Sequence, residues 1–298
     1  MKTPLFTGAG TALVTPFTGR DLEKIDYRVL EKLIDFQIQN GADALIVCAT
    51  TGEAPTLTAE ERREMIRATV ELTAHRVPVI AGAGSNDTQK ALRLCNEAER
   101  LGADGLLTVT PYYNKCSQDG LIESFTFLEK NVSTPILLYN VPSRTGVNVA
   151  PETYAALSEL PLINGVKEAN GDTAALAKSI ALCGGELNFY SGNDDQITAF
   201  CSLGALGVIS VLSNVAPADT HRMASLAVDG NTKESAALQC AYMDLVGALF
   251  CDVNPIPVKA ALCAMGTPVG RGRMPLSELN ENNRKHLMTA LHNHGLIA

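Results

Sequence analysis

Residues 39–47 read QNGADALIV, and residues 100–108 read RLGADGLLT. Each phrase is a polar helix end, a glycine turn and the start of an apolar strand. A junction that recurs in this form is the mark of repeated βα units.

Working outward from these junctions, short apolar runs alternate with helical patterns. The runs are GTALVTPF (10–17), DALIVCATTGE (43–53), VPVIAGAG (77–84), DGLLTVTPYY (104–113), TPILLYNVP (134–142), INGVKEANG (163–171), ELNFYSGND (186–194) and LGVISVLSN (206–214). They are near-continuous rather than alternating, as in strands of a parallel sheet covered on both faces. Between them, 26–40 places apolar residues at 29, 30, 33, 34 and 38, on one helical face, with Gly41 as a stop. Thr58 with Glu61 forms a capping box for a helix over 57–76, and Asp87 caps one over 87–102.

Right-handed βα units admit an open doubly wound sheet or a closed (β/α)8 barrel. The open dinucleotide-binding form carries GxGxxG after its first strand, and neither GAGTAL (8–13) nor GAGSND (82–87) supplies the third glycine. The pattern therefore predicts an α/β fold, a (β/α)8 TIM barrel with a C-terminal α-helical extension. The catalytic barrel is expected over 1–224 and the helical region, packed on the barrel, over 225–298. Further helices are expected near 226–228 and over 234–250, 257–265 and 281–294.

The chain has 298 residues, 46% hydrophobic and 19% charged, with a formal charge of −8. This is a globular composition without a basic cluster, so no nucleic-acid partner is expected. No apolar run reaches membrane-spanning length, and Pro4, Gly8 and Gly10 interrupt the only leader-like stretch, so a cytoplasmic protein is expected. The eight cysteines are irregularly spaced without CxxC, which reads as buried free thiols. His286, His292 and His294 fall in the last helix and tail, where solvated surface is expected.

In a (β/α)8 barrel the chemistry sits at the C-terminal ends of the strands. Those ends carry Thr50-Thr51-Gly52-Glu53, Thr110 to Asn114, Tyr139 with Arg144 beyond it, Lys167-Glu168, Ser191 to Asp194, and Ile209-Ser210. The set lacks histidine, which argues against a His-ligated metal and a Ser-His-Asp triad. It offers one amine, several hydroxyls and a guanidinium. An amine withdrawn from water favours its neutral form, attacks a ketone and gives an imine, whose neighbouring carbon becomes an enamine nucleophile. Tyrosine and threonine hydroxyls can relay the protons, and Arg144 can grip a carboxylate. These residue types point to a Schiff-base aldolase or lyase acting on a keto acid. Taken singly, each has an ordinary reading: Lys167 as an edge-strand lysine, the Thr50-Thr51 pair as a helix-entry turn, Tyr112-Tyr113 and Tyr139 as packed aromatics, Arg144 as a loop charge. Glu168 follows Lys167 and should face away from the barrel interior, as a structural residue.

The segments TTGE (50–53), TVTPYYN (108–114), ILLYNVPSRTG (136–146), GVKEANG (165–171), SGND (191–194), GVISVLSN (207–214) and NPIPVKAAL (254–262) together resemble the 4-hydroxy-tetrahydrodipicolinate synthase (dihydrodipicolinate synthase) family, within the N-acetylneuraminate lyase superfamily. The resemblance runs from TALVTPF to HGLIA. It implies condensation of pyruvate with L-aspartate 4-semialdehyde, the committed step toward diaminopimelate and lysine, without metal or cofactor. It implies that Lys167 forms the imine and that Tyr139, Thr50 and Tyr113 form a proton relay, Tyr113 reaching into a neighbouring subunit. It further implies that Thr51 holds the pyruvate carboxylate, that Arg144 binds the semialdehyde's carboxylate, and that Gly192 and Ile209 line the pocket by their backbones. A homotetramer, a dimer of tight dimers, is implied as well. The related alternative is a class I pyruvate aldolase on a sugar acid. N-acetylneuraminate lyases typically carry Ser-Thr where this chain has Thr50-Thr51, and lack the Arg144 counterpart.

One region departs from lysine-inhibited members of the family. Ala54-Pro55 follows TTGE, and Lys90 stands where those members carry a carboxylate, although Asn86 and Tyr112 remain. A cation facing lysine's ammonium repels it, so weak or absent feedback is expected.

Overall fold

The computed structural model describes residues 2–19, 21–22 and 24–298. Eight parallel strands close into a barrel: β1 (Gly8–Ala12), β2 (Ala44–Val47), β3 (Val79–Gly82), β4 (Gly105–Val109), β5 (Ile136–Asn140), β6 (Ile163–Glu168), β7 (Asn188–Ser191) and β8 (Gly207–Ser210). Each strand is hydrogen-bonded to its neighbours in sequence, and β8 closes on β1 from Gly8–Gly207 to Thr11–Ser210. The first run yields a shorter strand than its sequence suggests, because its second half leaves the barrel. There Phe17–Thr18 pairs with Lys24–Ile25 in a small antiparallel ribbon.

Helices α1 (Tyr27–Gln39), α2 (Ala59–Thr73), α3 (Thr88–Arg100), α4 (Gln118–Glu129), α5 (Pro151–Ser158), α6 (Thr173–Cys183), α7 (Ile197–Ser202) and α8 (Pro217–Val228) connect the strands and follow the last one. The capping box of α2 forms reciprocally: Glu61 N donates to Thr58 Oγ1 at 3.1 Å, and Thr58 N to Glu61 Oε2 at 2.9 Å. Asp87 accepts from Gln89 N at the start of α3. In α1, Gln37 rather than Ile38 completes the buried stripe, since its side chain bonds Thr11 Oγ1 and the Asn214 carbonyl.

Alternation along the strands divides two cores. Ala44, Ile46, Ile80, Leu107, Leu137, Tyr139, Tyr190 and Ile209 form the barrel interior with Phe6. Their chain neighbours Leu45, Val47, Val79, Ala81, Leu106, Ile136, Leu138, Val166 and Phe189 face the helices. This is why both faces had to be apolar. By the same alternation Lys167 falls on the inner face, opposite Tyr139 on β5 and Tyr190 on β7. Glu168 falls on the outer face. There its carboxylate accepts from Asn140 Nδ2 at 2.9 and 3.1 Å and from the Tyr154 hydroxyl at 2.7 Å. Burial pushes the Glu168 carboxyl above its usual range, with those hydrogen bonds opposing.

Beyond the barrel lie α9 (Thr232–Ala241), α10 (Met243–Leu249), α11 (Ile256–Ala264) and α12 (Glu281–Asn293). The apolar stretch 234–250 is thus two helices, not one. The break falls at Tyr242, whose hydroxyl bonds Asp219 on α8; α9 packs on α8, whereas α10 packs on α12. A third core joins Val29 and Leu33 of α1, Met223 and Ala224 of α8, and Leu245, Leu249, Leu262, Leu287 and Leu291 of the C-terminal helices.

His286 and His292 are exposed as expected. His294 is not: its ring lies on Tyr242 with centroids 4.4 Å apart, and its Nε2 meets Asp244 Oδ1 at 2.7 Å. Cys48, Cys95, Cys183 and Cys201 are buried, whereas Cys240 and Cys263 are exposed, contrary to the sequence reading. Among the described residues no helix is long and apolar enough to cross a membrane.

Candidate active site

Lys167 is 5% exposed, although it carries an amine. Its Nζ lies over the Tyr139 ring, 4.6 Å from the centroid, a contact fixed by the Tyr139–Lys167 register of β5 and β6. Phe6 stacks on Tyr190 at 4.4 Å, and the Tyr190 hydroxyl donates to the Phe6 carbonyl, so side chains fill the interior beside this layer. Among the described residues no carboxylate lies within ion-pair distance of Lys167.

A second lysine in an apolar segment provides the contrast. Lys259 on α11 is 1% exposed and donates to Glu53 Oε1 at 2.7 Å and to the Thr15 carbonyl at 3.0 Å. Burial lowers its pKa while the Glu53 charge raises it. Lys259 Nζ lies 4.3 Å and the Arg273 guanidinium 4.1 Å from the centroid of the Phe17 ring. Lys259 is therefore a structural cation paired with a carboxylate, whereas Lys167 is buried with no carboxylate within ion-pair distance among the described residues. A buried amine of the second kind is the one available for chemistry.

The strand ends and the turns after them carry the rest of the expected set. Tyr139 and Ile209 are buried with Lys167 in the barrel interior. Thr50 is half-buried in the turn after β2, and its carbonyl accepts from Glu53 N. Thr51 is 2% exposed, and its Oγ1 accepts from Asn254 Nδ2 at 3.0 Å. Gly192 N donates to the Glu168 carbonyl at 2.7 Å, and a Cβ at 192 would stand 2.7 Å from Ala169 Cβ. Only glycine lets β7 approach β6 this closely beside Lys167.

Two residues of the expected set stand exposed on the single chain. Arg144 lies exposed on the helical turn Pro142–Thr145 that follows β5. Tyr113 is 93% exposed, with φ of 69°, a left-handed backbone rare for a bulky side chain. The turn is held from below, since Asn114 Nδ2 donates to the Asn86 carbonyl at 2.8 Å.

The sequence reading assigned no role to several residues around the site. Glu53 stands in TTGE, but its partner lies 206 residues away. Its signal was present in retrospect: Lys259 interrupts the apolar NPIPVKAAL just as Lys167 interrupts its strand. Asp194 is buried next to Gly192, and its Oδ2 accepts from Val211 N and Leu212 N at 3.0 and 2.9 Å, tying the end of β7 to the end of β8. Burial pushes this carboxyl up, with hydrogen bonds from Ser210 and from the Leu212 and Val211 amides opposing. Cys48, beside the Thr pair, is 1% exposed, and burial pushes its thiol up to about 12. That thiol stays protonated and inert. Among the described residues no cluster of three or more His, Cys, Asp or Glu side chains could hold a metal ion.

Comparison with known proteins gives the chain's relatives. Residues 5–294 match the model of the Dihydrodipicolinate synthetase family. A curated relative from Lachnoclostridium phytofermentans, named 4-hydroxy-tetrahydrodipicolinate synthase, is 50% identical over 294 residues, 98% of this chain and 99% of that one. A dihydrodipicolinate synthase from Acinetobacter baumannii, solved in complex with pyruvate, has a TM-score of 0.95 at 38% identity, covering 98% of this chain and 99% of that one. One from Cyanidioschyzon merolae, solved with lysine bound, has a TM-score of 0.96 at 40% identity, covering 99% and 100%.

Proposed function

The chain belongs to the dihydrodipicolinate synthetase family, and from that premise we propose how its own residues carry the reaction. Its activity is that of a 4-hydroxy-tetrahydrodipicolinate synthase, a lyase of diaminopimelate and lysine biosynthesis. Pyruvate condenses with L-aspartate 4-semialdehyde.

The observation that carries the residue assignment is the buried, counter-ion-free Lys167 set against Tyr139. Lys167 Nζ attacks the pyruvate ketone carbon. The carbinolamine loses its oxygen as water, and the imine remains. The methyl carbon then gives up a proton and attacks the aldehyde carbon, whose oxygen takes a proton in turn. Tyr139, whose ring lies under the amine, begins a proton relay that Thr50 and Tyr113 extend. Lys167 leaves when a second amine takes its place on the same carbon. The semialdehyde's own amino group does this and closes the ring. Thr51 holds the pyruvate carboxylate, Arg144 receives that of the semialdehyde at the rim, and Gly192 and Ile209 line the pocket.

Tyr113 supports a shared site. A tyrosine held left-handed and almost wholly in solvent gains a role when a second subunit covers it. We assign a homotetramer built as a dimer of tight dimers. The exposed thiols of Cys240 and Cys263 suit a reducing, cytoplasmic compartment.

Borohydride reduction in the presence of pyruvate tests the assignment: one pyruvyl adduct per chain, at Lys167, is the expected product. Lys167→Ala should fold and lose turnover. An adduct at another lysine overturns the assignment. A parallel assay with sugar-acid substrates should give no comparable rate.

A further inference from the structure

Asn254 lies in the turn before α11, in the C-terminal helical region, yet its side chain reaches the loop after β2, 203 residues earlier. It is 7% exposed and donates from Nδ2 to Thr51 Oγ1 at 3.0 Å. Its Oδ1 is buried and has no hydrogen-bond partner among the described residues. An amide whose task was only to join two segments would bond at both ends. This one spends its donor on a single hydroxyl.

The consequence follows from what a hydroxyl can do. Thr51 has one proton to give and lone pairs to receive. When Asn254 supplies a proton to Oγ1, the Thr51 proton is turned toward another acceptor. We propose that Asn254 is a positioning residue that sets the Thr51 hydroxyl as a donor to the pyruvate carboxylate. The inference rests on Thr51 holding that carboxylate.

The surrounding structure keeps this relationship rigid. Gly52 O accepts from Thr15 Oγ1 at 2.7 Å. Glu53 is held by Lys259 Nζ at 2.7 Å and by Arg273 N at 2.8 Å. On the other side, Asn283 Nδ2 donates to the Cys251 carbonyl, anchoring the chain before Asn254 on α12. Loop and amide thus cannot drift apart independently. The C-terminal helices act on the substrate pocket through this contact.

Steady-state kinetics of the full-length enzyme test the proposal. Asn254→Asp replaces the donor by a group that only accepts; it takes the Thr51 proton for itself and sets a negative charge beside the pyruvate carboxylate. The pyruvate KM should rise about tenfold or more, with the semialdehyde KM unchanged. Asn254→Ala removes the donor without adding charge and should raise the pyruvate KM less. It also serves should the aspartate variant fail to fold. In a Thr51→Val background there is no hydroxyl to orient, so Asn254→Ala should add nothing. Two outcomes overturn the proposal: folded Asn254 variants with the parent pyruvate KM, or effects of Asn254→Ala that add fully to those of Thr51→Val. If Thr51→Val itself leaves the pyruvate KM unchanged, the assignment of Thr51 fails first and takes the inference with it. If Thr51→Val raises it while the Asn254 variants do not, the inference fails alone.

Discussion

Lys259 and Glu53 meet at 2.7 Å in an ion pair whose two side chains are each 1% exposed. The pair joins the loop after β2 to α11, and Arg273 N adds a second bond to the same carboxylate. Breaking a buried pair from one side leaves a charge without partner or water. Lys259→Met or Glu53→Gln alone should therefore cost about 3–5 kcal/mol. The double variant buries no charge and should recover much of that loss. Urea unfolding of the three proteins checks this; single variants with parent stability would contradict it.

Tyr113 should be needed by a site other than its own chain's. Tyr113→Phe alone should lower kcat by about a hundredfold or more. Mixing it with Lys167→Ala, after dissociation and reassembly, should restore activity, because some sites then combine an intact lysine with an intact tyrosine. No recovery in reassembled mixtures would argue for a site confined to one chain.

Arg144 stands exposed at the rim and is assigned one substrate. Arg144→Ala should raise the semialdehyde KM about 10- to 100-fold, the equivalent of a charge-assisted bond of about 1.5–3 kcal/mol. The pyruvate KM should hold. Arg144→Lys keeps the charge but not the fork, and should recover only part. Equal effects on both substrates would contradict the assignment.

His221 Nδ1 lies 2.7 Å from Asp43 Oδ2, which also accepts from Ala9 N at the entry to β1. The Asp43 hydrogen bond and charge raise the histidine above its ordinary value of 6.5, against some desolvation. A group with a raised folded-state pKa contributes its stability fully below the unfolded value and loses it as pH rises through the folded one. The parent should thus lose a small increment of stability on going from pH 6.5 upward, while His221→Gln should lack that increment at every pH. The effect is small because the imidazole is over a third exposed. Identical pH profiles for both proteins would rule the linkage out.

Lysine feedback should be weak or absent. Lys90 is exposed on the first turn of α3, four residues after Asn86. A cation there opposes a second ammonium. An L-lysine titration of the purified enzyme checks this, and strong inhibition at sub-millimolar concentration would refute it.

The sequence by itself determined the barrel, the eight strand positions and the side of the strand on which Lys167 falls. These are carried by spacings of two, three and four residues, which any local stretch reports without knowing its neighbours. It determined the caps of α2 and α3 for the same reason. The break at Tyr242 was not legible, because both halves keep the apolar pattern and only the partners of each half differ. Tertiary structure alone decided which of two lysines in apolar segments is paired. Lys259 and Lys167 look alike along the chain, and what separates them is Glu53, 206 residues from the first and absent beside the second. It also decided that Asn254 meets Thr51. A hydrogen bond needs its two atoms within a few tenths of an ångström, and across 203 residues only the closed barrel and its docked helices set that distance.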